Sequence, residues 1–218
     1  MTKIIAIIVA AGKGKRMESK IPKQYLPLND KGILYHSILP FLNHPKISDV
    51  VCVIAKSDLE LYQNSILDLN LLDPVFGGQE RQDSVFNALE KITDLNPDKI
   101  LIHDAARPFV TKEIIDSLIS LENKAVIPTI KISDTIKKVE NGIICKTISR
   151  DNLYLAQTPQ FFDYDLIKNL HQKYQGQNFT DDSALCEEEK IKIAVIDGDI
   201  NNFKITTKQD YDKARKIC

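Results

Sequence analysis

Residues 9–26 read Val-Ala-Ala-Gly-Lys-Gly-Lys-Arg-Met-Glu-Ser-Lys-Ile-Pro-Lys-Gln-Tyr-Leu, a small-residue turn followed by a cluster of cations. Between Lys13 and Lys23 the chain carries Lys13, Lys15, Arg16, Lys20 and Lys23 against Glu18 alone, although its net charge is only −1. Backbone N–H groups at Ala10, Ala11, Gly12 and Gly14 could approach an anion closely, and the cations could hold more than one phosphate. Pro22 restricts the backbone before Lys23 and so helps to aim that ammonium. Two common phosphate motifs do not fit. A dinucleotide fingerprint needs a third glycine where Met17 stands, and no Gly-Lys-Ser/Thr closes a Walker loop. A triphosphate cradle remains, beside the plainer reading of a polar turn whose lysines face solvent.

Other stretches could complete such a site. In Lys-Ile-Leu-Ile-His-Asp-Ala-Ala-Arg-Pro, residues 99–108, Asp104 directly follows an apolar run. A carboxylate there could hold a Mg²⁺ that bridges phosphate oxygens, or could simply cap a helix. Arg107 could pair with it and fix its rotamer. Gly77-Gly78 would let a flat ligand or another backbone come close, and Arg81, Asp83 and Ser84 follow at a helix start; base contact and capping are equally open there. Farther on lie Asp134-Thr135, Arg150, Thr158 in Gln-Thr-Pro-Gln, Thr180-Asp181, and Lys204 with Thr206. Hydroxyls with Arg and Lys suit a second phosphate site, one for a phosphorylated acceptor. Taken singly each has a bland alternative: the Asp pair suits a helix start, and Thr207-x-x-Asp210 resembles a capping box.

These groups must be positioned by the elements between them. Residues 3–9 are short, β-branched and apolar, as expected of a strand buried on both faces of a parallel sheet, so the cationic loop opens at a strand's carboxyl end, where open α/β sheets bind ligands. Further strands are expected near 50–55, 74–76, 99–103, 125–128 and 192–196. Helical patterns fall near 34–42, 58–69, 80–92, 112–121, 163–174, 182–188 and 208–217. The alternation predicts an α/β fold, a Rossmann-like, mostly parallel sheet with helices on both faces. Residues 132–150 break it, reading as two strands joined at Asn141-Gly142, a pair suited to a type I′ turn. Ile136, Val139, Ile143, Ile144 and Ile148 on this ribbon need a second surface, either on the same domain or on another copy of the chain.

The bulk properties narrow the classes. The 218 residues suit one domain, and 43% hydrophobic with 27% charged residues gives no case for disorder. A pI near 6.4 speaks against general nucleic-acid binding, so any anion site must be focused. The N-terminal apolar run is too short for a membrane span or a signal segment, and Cys52, Cys145, Cys186 and Cys218 show neither zinc nor disulfide spacing; a cytoplasmic protein with reduced thiols is expected.

Taken in order, VAAGKGKRM, PKQYL, GGQERQDSV, HDAARPFV, DTIKKV, QTPQFF, FTDDSALCE and DGDINNFKITT resemble the 2-C-methyl-D-erythritol 4-phosphate cytidylyltransferase family over essentially the full chain. The resemblance implies transfer of CMP from CTP to that sugar-alcohol phosphate in isoprenoid precursor biosynthesis. It also implies a Mg²⁺ ion or another divalent cation, and a homodimer in which the β-arm embraces its partner. It assigns the triphosphate loop to Ala10, Ala11, Gly12, Gly14 and Arg16, with Lys23 as the key lysine. Cytosine recognition falls on Gly78 and Ser84, and the metal-linked aspartate on Asp104. The sugar phosphate falls on Thr135, Arg150, Thr158, Thr180, Lys204 and Thr206, with Thr135 and Arg150 reaching across the dimer. Arg16, Lys23 and Lys204 would act catalytically. One departure is Asp197 before Gly198, where the family more often carries Glu. Three alternatives are a ribitol-5-phosphate cytidylyltransferase, disfavoured by Ala-Ala-Gly and Asp-Ala-Ala-Arg, a nicotinamide-dependent reductase, disfavoured by the absent third glycine, and a non-catalytic nucleotide-binding protein.

Overall fold

The computed structural model describes every residue except 1, 13, 15, 16, 18, 20 and 218. The chain begins with strand β1 (Ile4–Val9), a 3₁₀ turn at Lys23–Tyr25, a small ribbon of β2 (Pro27–Leu28) and β3 (Lys31–Gly32), and helix α1 (Ile33–Leu42). Then come β4 (Asp49–Ile54), α2 (Leu59–Ser65), β5 (Val75–Phe76), α3 (Arg81–Lys91), β6 (Lys99–Asp104), α4 (Lys112–Ser120) and β7 (Ala125–Lys131). The ribbon β8 (Ile136–Glu140) and β9 (Ile143–Ile148) follows, then β10 (Tyr154–Ala156), β11 (Gln160–Asp163), α5 (Tyr164–Lys173), α6 (Ser183–Glu188), β12 (Ala194–Asp197) and α7 (Lys208–Ile217).

In the central sheet β11, β6, β1, β4 and β5 lie side by side, with β7 next to β11 and with β10 and β12 pairing along β7. β1, β4, β5 and β6 are mutually parallel, as is β12 on β7, which fits the expected α/β architecture. β10 and β11 were not expected; both run antiparallel to β7, and β11 inserts between β6 and β7. Only four residues long and running straight into α5, β11 has too little period of its own to stand out from the helix that follows.

Alternation along β1 explains why its sequence is apolar without a break. Ile4, Ala6 and Ile8 pack with Leu34, Ile38 and Phe41 of α1 and with Ile114 and Leu118 of α4. Ile5 and Ile7 face the other way, toward Val85 and Leu89 of α3 and Ile167 and Leu170 of α5. Both faces of the strand are therefore buried, as βα crossovers on two sides of a sheet require.

The β8–β9 ribbon forms a sheet of its own, turning at Asn141 (φ 50°) and Gly142 (φ 79°), both left-handed as a type I′ turn demands. Val139, Ile143 and Ile144 are 53%, 71% and 61% exposed, so this chain does not cover them. No helix among the described residues is long and apolar enough to cross a membrane.

Candidate active site

Register fixes where the loops emerge. Val9 pairs with both Val53 and Asp104, and Ile54 pairs with Phe76. The backbone continues the pattern past the strand ends, with Ala10 N–H donating to Val53 O (2.7 Å), Ala105 N–H to Val9 O (3.1 Å) and Gly77 N–H to Ile54 O (2.9 Å). Four parallel strands thus deliver Ala10, Ala11, Gly12 and Gly14 with residues 55–56, 77–81 and 104–106 to one edge of the sheet. There they line a cleft of about 760 Å³ together with Lys204 and Thr206.

The first wall is the loop after β1. Ala10, Ala11, Gly12 and Gly14 line it as the sequence predicts, while Arg16 lies outside the described residues. Gly14 has φ +59°, and a Cβ there would sit 3.3 Å from Lys23 Cγ, so a side chain would be strained both in conformation and in space. Sequence reasoning missed Gln24. Its buried amide donates to Ala10 O at 2.6 Å and Gly12 O at 3.3 Å, tying the loop to the 3₁₀ turn that carries Lys23. The Lys23 ammonium donates to Ile205 O (2.7 Å), which joins the loop to the segment bearing Lys204.

The second wall is the Gly77–Arg81 turn. A Cβ at Gly77 would lie 2.6 Å from Ala11 Cβ and 2.8 Å from Ser84 Oγ, so the absent side chain lets the two loops touch. Gly78 N–H donates to Ser84 Oγ at 3.1 Å, and Ser84 Oγ donates in turn to Glu80 O at 3.0 Å. Asp83 accepts from Glu80 N–H at 3.0 Å. The capping alternative for Asp83 is thus realised, and Gly78 and Ser84 both line the cleft.

Asp104 forms the floor. It is 8% exposed and surrounded by three cations: Lys204 Nζ 2.8 Å from Oδ2, Arg81 Nε 3.5 Å from Oδ1 and Arg107 Nε 3.9 Å from Oδ2. Burial works against its charge, yet Arg81, Lys204 and Arg107 overcome it and hold the carboxyl far below the usual carboxylate range. The aspartate is ionised at any working pH and suited to a hard cation. Among the described residues no three His, Cys, Asp or Glu side chains converge as a metal site. A cation here would take its other ligands from phosphate oxygens and water, the usual arrangement for Mg²⁺ on nucleotides.

The expected acceptor residues divide. Lys204 and Thr206 line the cleft, held there because Gln157 donates to Asp199 O (2.8 Å), Asn202 to Thr158 O (2.9 Å) and Ile205 N–H to Ala106 O (2.8 Å). Thr158 is buried behind the floor, where its hydroxyl accepts from Asp104 N–H (3.1 Å) and contacts His103 Nδ1 (3.0 Å). It positions Asp104 and does not open into the cleft. Thr180 is exposed between α5 and α6, and Thr135 and Arg150 are exposed at the base of the arm, where Ile136 pairs with Ile148. The cleft of one chain therefore does not gather all six.

His103 offers no alternative chemistry. It is fully buried, with both ring nitrogens engaged by Thr158 and by Arg107 O, and burial pushes its pKa down to about 4. The cleft can bind a polyphosphate against backbone N–H groups, neutralise it with Lys23 and Lys204, and seat a cation on Asp104. Among the described residues it presents no nucleophile–base pair, which suits a transfer driven by positioning and electrostatics.

Comparison with known proteins agrees. Residues 4–218 match the model of the family described as IspD, 2-C-methyl-D-erythritol 4-phosphate cytidylyltransferase. A protein of Clostridioides difficile with that description is 39% identical over 97% of this chain and 92% of its own length. The bifunctional IspD/IspF enzyme of Paramagnetospirillum magneticum is 40% identical over 99% of this chain and 56% of its own. The chain thus spans about half the length of such bifunctional relatives. The 4-diphosphocytidyl-2C-methyl-D-erythritol synthase structure from Anaerococcus prevotii superposes with a TM-score of 0.86 at 31% identity, covering 99% of this chain and 96% of that one. The Francisella tularensis 2-C-methyl-D-erythritol 4-phosphate cytidylyltransferase gives 0.82 at 32%, covering both chains completely. The chain belongs to the 2-C-methyl-D-erythritol 4-phosphate cytidylyltransferase family.

Proposed function

We propose that the protein transfers CMP from CTP to 2-C-methyl-D-erythritol 4-phosphate, releasing diphosphate, as a step of isoprenoid precursor biosynthesis. The strongest support is the convergence of Ala10, Ala11, Gly12, Gly14, Lys23, Lys204 and ionised Asp104 on one cleft at the carboxyl ends of parallel strands. The acceptor phosphate is already anionic at neutral pH, so attack on the α-phosphorus needs no general base. The task is to bring two anions together in line and to neutralise charge that grows on the α-phosphate.

In this mechanism residues 10–14 hold the β- and γ-phosphates through backbone N–H groups. Lys23 and Arg16 neutralise the α-phosphate as its fifth bond forms, and Gly78 with Ser84 shapes the cytosine end. Lys204 leaves Asp104 for the phosphates when substrate arrives, and Thr206 faces the acceptor. A Mg²⁺ on Asp104 would supply charge neutralisation across the triphosphate and on the departing diphosphate. Thr135, Arg150 and Thr180 complete the acceptor side.

Because Thr135 and Arg150 stand at the base of an arm whose apolar residues are uncovered, we propose a homodimer in which each arm serves the partner's cleft. No nucleic-acid or membrane partner is invoked, and the cytoplasm is the proposed compartment. Diphosphate release from CTP tests the assignment: it should follow addition of methylerythritol phosphate and not of ribitol 5-phosphate. Equal release with both acceptors would overturn the choice of substrate, and release with neither would overturn the activity.

A further inference from the structure

The proposed mechanism gives no role to a buried chain of charges that runs away from the cleft. Arg81, the first residue of α3, sends Nη2 to Asp182 Oδ2 at 2.7 Å, while its Nε stays 3.5 Å from Asp104 Oδ1. The first distance is that of a charge-assisted hydrogen bond; the second is too long to be one. Asp182 is itself 1% exposed, and its other oxygen meets His171 Nε2 at 3.1 Å, on a ring that is also 1% exposed. A carboxylate can only accept, so the hydrogen sits on His171 Nε2. Nδ1 is buried with no hydrogen-bond partner, so among the described residues the ring's side-chain hydrogen bond is the one to Asp182.

The arrangement bears on how Asp104 can hold a cation at all. Around it stand Arg81, Arg107 and Lys204, and a carboxylate fully paired with three cations is a poor ligand for a fourth. The Lys204 side chain is 41% exposed and can turn toward phosphates, and Arg107 is held off by its bond to Asn202 O at 2.8 Å. Arg81, which lines the cleft beside Asp104, is the one that could close on it without leaving its place. Asp182 prevents this by taking the shorter bond. Among the described residues no hydrogen bond or ion pair joins His171 to Arg81, Lys204 or Arg107, so the ring is linked to the floor through Asp182.

We propose that Asp182 and His171 are positioning residues that restrain Arg81 from behind and so keep Asp104 Oδ1 available to a divalent cation. This rests on the reading of Asp104 as the cation's protein ligand. Asp182 directly precedes α6 and His171 lies on α5, and neither side chain lines the cleft, so the inference ties these two residues to metal affinity and not to phosphate binding.

The test is Mn²⁺ affinity of the enzyme–CTP complex, followed by electron paramagnetic resonance and corrected for Mn²⁺ on CTP alone. Asp182→Asn should weaken it by roughly tenfold, because the freed guanidinium pairs with Asp104. In an Arg81→Gln background the same substitution should change it by less than about twofold, since no guanidinium is left to close. His171→Gln keeps both charges and loosens only the aim of Asp182; it should weaken Mn²⁺ by about threefold, and it decides the matter if Asp182→Asn does not fold. Binding within about twofold of the parent in Asp182→Asn and His171→Gln overturns the proposal, as does an undiminished Asp182→Asn effect without Arg81. Asp104→Asn separates the levels. If it binds Mn²⁺ as the parent does, the assignment of the cation to Asp104 fails and takes the proposal with it; if it loses Mn²⁺ while Asp182→Asn does not, only the positioning role fails.

Discussion

At the scale of single residues, Lys23 and Asp182 carry opposite kinds of consequence. Lys23 lines the cleft and also holds Ile205 O, so its removal takes a positive charge out of the cleft and loosens the Lys204 segment. Lys23→Ala should lower kcat/KM by about 100-fold or more, some 2.7 kcal/mol of transition-state stabilisation. A loss under about tenfold would rule out the catalytic role. Asp182 acts on stability. Burial opposes its ionisation, but Arg81 and His171 prevail and bring it down from 3.8 to about 2. A depressed carboxylate stabilises the folded state fully above the unfolded pKa and loses that contribution as pH falls through the folded one. Urea midpoints should therefore decline between pH 4 and pH 2, and Asp182→Asn should flatten that part of the curve. Of these residues Lys23 was legible in the sequence, because Pro22 and the cationic run mark it. Gln24 was not: a glutamine beside a lysine signals nothing until the chain folds its amide onto Ala10 and Gly12.

At the scale of elements, the cleft depends on two loops from strands that are not adjacent in sequence. Gly77 is the point of contact, with room for nothing larger between Ala11 and Ser84. Gly77→Ala should cost about 1–3 kcal/mol through overpacking. Thermal unfolding should show a Tm several degrees lower, and the KM for CTP should rise as the loop after β1 is pushed outward. An unchanged Tm with unchanged KM would mean that the two loops move apart freely. The glycine pair is visible in the sequence as permission for a close approach, yet the partner Ala11 lies 66 positions earlier. The strands that hold these loops were readable from their unbroken apolar runs. β11 was not, since its pairing with both β6 and β7 is decided by what stands beside it and not by its own four residues.

At the scale of the whole molecule, the arm is the unfinished part. A two-stranded ribbon is marginal by itself in water, and this one leaves Val139, Ile143 and Ile144 uncovered, with Leu155 and Val195 exposed on the strands beside β7. A second copy of the chain would cover such residues. If each arm serves the partner's cleft, Lys23→Ala and Arg150→Ala protomers carry defects that complement. Dissociated and re-associated at random, half of the dimers are mixed and each holds one complete site. About a quarter of the wild-type activity should then return. An arm acting on its own chain would give no recovery, because every cleft in the mixture would still lack one residue.

The sequence alone determined the strand–helix alternation, the position of the cationic loop at a strand's end, the Asn141-Gly142 turn and the order of the family's motifs. These follow from local periodicity, turn chemistry and residue identity, all of which are written along the chain. Only the tertiary structure decided that Asp104 is shared among Arg81, Arg107 and Lys204, and that Thr158 supports it from behind. It likewise decided that Gln24 binds the loop after β1 and that His171 and Asp182 stand at the back of Arg81. Those relations join residues tens of positions apart across a sheet whose register places them within hydrogen-bonding reach. No local pattern encodes a distance that closes only when the strands pair.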